Sequence, residues 1–190
     1  IKEKLALFCN VNVESVVQSI DAKTIYEVPL MMKNEKLDQV VLKKLNLKNP
    51  KKPDLKKWIS FVDRLKFPKE EVQIGLIGKY VELQDSYKSI LESLVHAGSE
   101  NKTKVKVVSI HSEFINSDQI NNEISNLDGI LVAPGFGERG IEGKIDAIKC
   151  SRENNIPFFG ICLGMQMAVI EFSRNILKLK DANSTEMDQN

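Results

Sequence analysis

Cys162 stands between two glycines in the string Gly160-Ile161-Cys162-Leu163-Gly164-Met165-Gln166, where an apolar, strand-like run over 156–161 gives way to a helical pattern. A thiol at such a junction is the sequence form of a nucleophile elbow. The tight turn needs small neighbours, and it lifts one side chain out of the sheet toward a helix N-terminus. The unpaired N–H groups and partial positive charge there favour a thiolate over a thiol and can later hold an oxyanion. The chemistry is acyl transfer, with Cys162 as candidate nucleophile. The plain alternative is an inert thiol at the end of a core strand, and the glycines alone do not separate the two.

A second glycine-rich segment, Gly135-Phe136-Gly137-Glu138-Arg139-Gly140, follows another apolar run. It matches G-x-G-x-x-G literally, but a dinucleotide site also calls for an acidic residue at the end of the next strand, and that position reads Phe158-Phe159-Gly160-Ile161-Cys162. It is not a phosphate-binding loop either, since Gly143-Lys144 is followed by Ile145 rather than Ser or Thr. The better assignment makes it the partner of the elbow. Glycines let backbone N–H groups come close to a reacting carbonyl, and the Leu163 N–H at the helix start supplies a second donor.

These residues need a scaffold, and the pattern after residue 71 supplies one. Strands are expected at 72–77, 104–110, 129–132 and 156–161, separated by helices near 86–97, 118–127 and 144–154, with another after Cys162. Such alternation predicts an α/β fold with an open, mostly parallel sheet, helices on both faces and ligand sites at the carboxyl ends of the strands. Lys79 and Tyr80, the glycine loop and Cys162 all fall there. Before the charged segment 66–71, read as a linker, a strand is expected over 5–11, then helices over 14–20, 37–45 and 53–65. In the last of these Leu55, Trp58, Ile59, Val62 and Leu65 form an apolar stripe, with Trp58 as packing.

At 190 residues and 42% hydrophobic composition the chain can bury an ordinary core. No apolar run is long enough to span a bilayer, and the first residues do not read as a targeting peptide. Cys9, Cys150 and Cys162 are spaced neither as a disulfide framework nor as a metal site, which fits a reducing, cytoplasmic compartment. A formal charge of +1 gives no field for nucleic acid, and the lysine-rich stretch 48–57 reads as a solvated linker and helix start.

The string Gly160 to Gln166 resembles the active-site elbow of class I glutamine amidotransferases. Its surroundings resemble the CTP synthase family: Lys4-Leu5-Ala6-Leu7-Phe8-Cys9-Asn10-Val11, Ser19-Ile20-Asp21, Ile25-Tyr26-Glu27-Val28-Pro29, Gly78-Lys79-Tyr80-Val81-Glu82-Leu83, the glycine loop, and Asp181-Ala182-Asn183-Ser184-Thr185-Glu186. These stand in the family's order over nearly the whole chain. The resemblance implies a flavodoxin-like glutaminase fold preceded by the end of a P-loop-type amidoligase domain. It divides the chain into 1–65, tail of the amidoligase; 66–71, linker; and 72–190, an incomplete glutaminase domain.

The activity so implied is amination of UTP to CTP, with ATP activating UTP and ammonia released from glutamine through a cysteine thioester. By resemblance, Cys162 is the nucleophile, Leu163 N–H is an oxyanion donor, and Gly135, Gln166 and Glu186 hold glutamine. Lys79, Tyr80, Phe136 and Arg139 match positions that bind the allosteric activator GTP. Lys4 and Phe8 match the UTP site and the CTP feedback site, and Asp21 matches an ATP contact. Magnesium and ATP belong to the intact enzyme, expected as a cytoplasmic homotetramer, with no cofactor, metal, membrane or nucleic acid assigned to this chain.

Two departures bear on activity. The family has Pro-Gly-Gly-Phe-Gly in the loop where this chain has Ala133-Pro134-Gly135-Phe136-Gly137, and proline has no N–H to donate. Either one donor is lost or the loop presents Ala133 or Gly135 instead. The family's catalytic histidine and glutamate lie in a His-Pro-Glu-Phe-like motif, whereas the histidines here are His96 and His111, neither followed by Pro-Glu. This chain alone is therefore expected not to turn over glutamine. The competing readings are a non-catalytic regulatory or docking module and another glutamine amidotransferase such as a GMP synthetase.

Overall fold

The computed structural model describes residues 1–48, 51–115 and 120–188. The chain forms two compact units, Ile1–Lys66 and Phe67–Asn190.

The first unit is helical. Helix α1 occupies Lys2–Phe8 where a strand over 5–11 was expected. Lys, Glu, Leu and Ala are strong helix formers, and Asn10 closes the helix in the left-handed region (φ 51°), so that Val11 N–H reaches Ala6 O at 3.0 Å and Asn10 N–H reaches Leu7 O at 3.3 Å. The expected helix over 14–20 is also corrected. Only a 3₁₀ turn forms at Val13–Ser15, and Val16 leaves it extended (φ −92°, ψ 97°), as suits β-branched Val16 and Val17.

Helix α2, Val28–Asn34, follows a 3₁₀ turn at Ile25–Glu27 and was not among the expected elements; Pro29 sits in its first turn, where a missing N–H costs no intrahelical bond. Helix α3 covers Leu37–Lys44 and α4 covers Lys56–Lys66, so Pro53 precedes α4 rather than opening it. Trp58 does pack: its Nε1–H donates to Tyr26 O at 2.9 Å, and its ring lies 5.9 Å from Tyr26 and 5.8 Å from Phe61. Of the lysine-rich stretch, 49 and 50 lie outside the described residues.

The second unit is a parallel sheet of β1 (Glu70–Gly78), β2 (Thr103–His111), β3 (Gly129–Val132) and β4 (Phe158–Gly160), in the order β2-β1-β3-β4. The segment 66–71, expected as a linker, therefore already contributes Glu70 and Glu71 to β1. Helix α5 (Lys88–Asn101) covers one face, where Leu76, Leu131, Ala133 and Tyr87 pack with Ile90 and Leu91. Helices α6 (Ile120–Ile124), α7 (Ile141–Glu153) and α8 (Leu163–Asn175) belong to the opposite face, packing with Ile77, Ile130 and Val132. The expected start of α6 at Asp118 lies outside the described residues.

Alternation of Leu76 with Ile77, and of Leu131 with Val132, is the two-residue period of a strand buried on both sides. Each such side chain taken fully out of water contributes about 1.5–3 kcal/mol. Register places Gly78 beside His111, Ile77 beside Val132, and Val132 beside Gly160. The carboxyl ends of all four strands thus meet at one edge, from which the loops bearing Lys79, the glycine segment and Cys162 emerge.

Candidate active site

Cys162 is the second of the two residues between β4 and α8, and its backbone is unusual: φ 52°, ψ −109° in a residue with a β-carbon. Such a conformation persists only where the surroundings enforce it. They do so here through close contact on both sides. A β-carbon on Gly160 would come within 2.7 Å of the Gly164 carbonyl and Met165 N, and one on Gly164 would come within 2.2 Å of Val132 O. The turn is also tied by hydrogen bonds from Ile161 N–H to Val132 O (3.1 Å), Gly164 N–H to Ile161 O (2.9 Å) and Gln166 N–H to Cys162 O (3.1 Å). The thiol is exposed, whereas Cys150 is buried beside Asn121 and Asn154, with burial pushing its pKa up. Cys9 is exposed at the end of α1.

The glycine loop lies against this turn. The position a β-carbon would take on Gly135 is 3.6 Å from Leu163 Cδ2, 3.7 Å from Lys79 Cε and 3.8 Å from Lys144 Nζ. Among the described residues neither the Gly135 N–H nor the Leu163 N–H has a hydrogen-bond acceptor. Pro134 has no N–H to give and that of Ala133 donates to Ile77 O at 2.9 Å, so of the two loop donors left open by the sequence it is Gly135 that keeps an N–H without an acceptor among the described residues. Gln166 lies in the first turn of α8, with its side-chain carbonyl oxygen buried and unpartnered.

Lys79, Tyr80, Phe136 and Arg139 are brought together. Lys79, 7% exposed, donates from Nζ to Phe136 O and lies 5.3 Å from the Tyr80 ring centre. The Arg139 guanidinium lies 6.0 Å from the same ring, and its Nε is 3.1 Å from Glu113 Oε1. Tyr80 and Phe136 are exposed. Beneath them Tyr87 is buried, which raises its pKa, and its hydroxyl accepts from Tyr80 N–H at 3.4 Å.

Glu186 is exposed, and its backbone N–H donates to Ser184 Oγ at 3.2 Å. Its segment is fastened by Met187, which packs against the core, and by Arg174, whose Nε donates to Ala182 O at 2.7 Å. In the first unit, Lys4 and Phe8 are one helical turn apart on α1, with the ammonium 5.9 Å from the ring centre. Asp21 lies exposed in an irregular segment, and no contact links it to them among the described residues.

Neither histidine is seated as a partner for the thiol. His111 Nδ1 accepts from Glu113 N–H at 3.3 Å while its ring stacks on Phe114. His96 is exposed on α5. Among the described residues Cys162 Sγ has no hydrogen-bond partner.

Sequence reasoning overlooked Lys144. It was weighed only as a phosphate-loop lysine, yet Ile141, Lys144, Ile145 and Ile148 stand at helical spacing, and a lysine on that apolar stripe is itself a signal. In the structure Lys144 is fully buried and donates to Ala133 O at 3.0 Å. Burial, reinforced by the Lys79 charge and opposed by Cys162, lowers its pKa to about 8.

Comparison with known proteins gives the family of this fold. The family model for glutamine amidotransferase class-I matches residues 82–189. The chain belongs to that family. A model described as the CTP synthase N-terminus matches residues 1–47. The CTP synthase of Christiangramia forsetii is 69% identical over 188 residues, covering 99% of this chain and 34% of the relative. The CTP synthase of Methanocaldococcus jannaschii is 57% identical over 196 residues, covering 100% of this chain and 36% of the relative. The chain thus spans about a third of the length of the curated relatives it matches. A solved structure of the CTPS glutaminase domain of Trypanosoma brucei with bound acivicin superposes with a TM-score of 0.59 at 39% identity, covering 63% of this chain and 47% of that one. In sequence the chain is thus similar to CTP synthases at both ends, the match to the CTP synthase N-terminus preceding the match to the amidotransferase family.

Proposed function

We propose that this segment serves a CTP synthase by binding glutamine and releasing its amide nitrogen as ammonia through Cys162. The observation that carries the proposal is the strained, exposed Cys162 at the start of α8, beside a glycine loop whose Gly135 N–H has no acceptor among the described residues. The thiolate attacks the glutamine carboxamide carbon, the carbonyl electrons move to oxygen, and the Leu163 and Gly135 N–H groups receive that charge. Collapse of the tetrahedral species expels ammonia, once protonated, and leaves a thioester that water hydrolyses to glutamate. Gln166 and Glu186 would hold the substrate, with the Glu186 carboxylate available to the glutamine ammonium.

Both the departing nitrogen and the attacking water need a positioned acid and base. Neither described histidine contacts Cys162, so that group is assigned to the family's His-Pro-Glu-Phe-like motif, and this chain alone is expected to be inactive. The ammonia would aminate UTP. Lys4 and Phe8 are proposed for the pyrimidine nucleotide and its CTP feedback counterpart, and Asp21 for ATP. Tyr80, Phe136, Arg139 and Lys79 are proposed for GTP, for which an exposed aromatic face beside two cations is apt.

Magnesium and ATP are proposed for the intact enzyme. Among the described residues no three His, Cys, Asp or Glu side chains gather to hold a metal, so no step is assigned to one here. No described helix is long and apolar enough to cross a membrane; a cytoplasmic homotetramer is part of the proposal.

The test is made in the full-length enzyme, comparing glutamine with ammonia as nitrogen source. Cys162→Ala should abolish glutamine-dependent CTP formation and retain the ammonia-dependent reaction. Retained use of glutamine would overturn the assignment.

A further inference from the structure

Lys144 lies among Ile141, Ile145 and Ile148 on the buried side of α7, with none of its surface exposed. Taking an ammonium out of water costs several kcal/mol unless an anion or several acceptors replace the solvent. Among the described residues its hydrogen-bond acceptor is the single carbonyl of Ala133, and no carboxylate pairs with it. A second ammonium, that of Lys79, is close enough to repel it. A cation so placed is poorly explained as a structural tie.

What surrounds it is the cysteine site. Ala133 is fully buried and fixed on both sides, its N–H donating to Ile77 O at 2.9 Å and its carbonyl accepting from Lys144. Three residues on, the Phe136 carbonyl accepts from Lys79. The two lysines therefore grip the loop on either side of Pro134 and Gly135. The anion that Lys144 lacks can be supplied by Cys162, the group whose charge favours its protonated form.

We infer that Lys144 is a positioning residue of the cysteine site, which holds the Gly135 loop through the Ala133 carbonyl and sets a buried positive charge under the Cys162 thiolate. The inference rests on the amidotransferase reading of Cys162. The groups acting on it come from two other elements: Lys79, at the end of β1, disfavours its charge, and Cys162, at the start of α8, favours it.

The experiment uses the full-length enzyme carrying Lys144→Met, which removes both hydrogen bond and charge, and Lys144→Gln, which can still donate to Ala133 O but is neutral. Alkylation of Cys162 by iodoacetamide is followed against pH, alongside KM and kcat for glutamine, with urea unfolding of each variant reporting an intact fold. Both variants should move the alkylation profile to higher pH, slowing the reaction at pH 7 about fivefold. Lys144→Gln should keep KM for glutamine nearer the unaltered value than Lys144→Met. Unchanged profiles in both variants would overturn the inference. If a glutamine-like diazoketone fails to label Cys162 in the unaltered enzyme, the amidotransferase reading itself fails, which is a separate result.

Discussion

The carbonyl oxygen of Val132, at the end of β3, lies 2.2 Å from the position a β-carbon would take on Gly164 in the first turn of α8. That contact sets how closely the helix can approach the strand, and hence where the residue at its N-terminus sits. The obstacle is backbone, which cannot rotate aside as a flexible side chain would. Gly164→Ala should therefore push α8 outward, lower stability by about 3 kcal/mol and abolish labelling of Cys162 by a glutamine-like diazoketone. Urea unfolding and peptide mapping check the two effects. An alanine variant that labels normally would show that the approach is not needed.

Backbone strain at Cys162 gives a prediction of opposite sign. With φ 52° and ψ −109°, a residue carrying a β-carbon is held in a sparsely populated region at roughly 1–3 kcal/mol, which a glycine largely avoids. Glycine also gives back roughly 0.5–1 kcal/mol through the greater freedom of its unfolded chain. Cys162→Gly should thus unfold at higher denaturant than Cys162→Ala, by about 1 kcal/mol, although both lack the nucleophile. Equal stability of the two inactive variants would mean that the elbow stores no strain.

The second unit was legible because its strands are apolar runs separated by helical periods, and the small residues of its turns announce where the chain changes direction. Gly160, Cys162 and Gly164 therefore marked the elbow before any coordinates. The first unit was less legible. The run over 5–11 is apolar in nearly every position, and such a run fits a strand as well as a short helix. What decides is the helix-forming start at Lys2 and the left-handed Asn10. Asn46 and Asn155 end α3 and α7 in the same conformation, but Lys36 and Lys102 do so after α2 and α5, a stop that no residue type announces in the sequence. Lys144 was missed for another reason: the expected helix began at Lys144 itself, which hid its place in the stripe opened by Ile141.

Helices α7 and α8 are tied by an ion pair between a buried carboxylate and a partly exposed guanidinium. Glu171, 1% exposed, accepts from Arg152 Nε at 3.1 Å to each carboxylate oxygen and from Arg152 Nη2 at 2.8 Å, and Asn175 adds a third donor group. This pairing raises the Arg152 pKa, so the guanidinium stays charged across the working range. Arg152→Met would strand the carboxylate with Asn175 alone and should cost about 2–3 kcal/mol, while Arg152→Met combined with Glu171→Met should recover most of it. Chemical denaturation of the two variants measures this. A double variant as unstable as the single one would show that packing, rather than the stranded charge, carries the loss.

Lys144 makes stability depend on pH in a window of its own. Burial first, then the Lys79 charge, hold its pKa at about 8 in the folded protein against an ordinary 10.5, with Cys162 pulling the other way. Between these values the unfolded chain binds a proton that the folded chain has released, so this group makes stability rise with pH from about 8 to 10.5. Below pH 8 both states hold the proton, and the penalty is complete at about 3 kcal/mol. Lys144→Met removes the penalty at every pH while losing the bond to Ala133 O equally at every pH. Its stability relative to the unaltered protein should accordingly fall by about 2–3 kcal/mol between pH 7 and pH 10. Urea unfolding of both proteins at pH 7, 8.5 and 10 gives the difference directly, and titrations common to the two cancel. A difference that stays constant over this range would mean that Lys144 keeps its ordinary proton affinity in the fold, and that the charge beneath the glycine loop is well solvated.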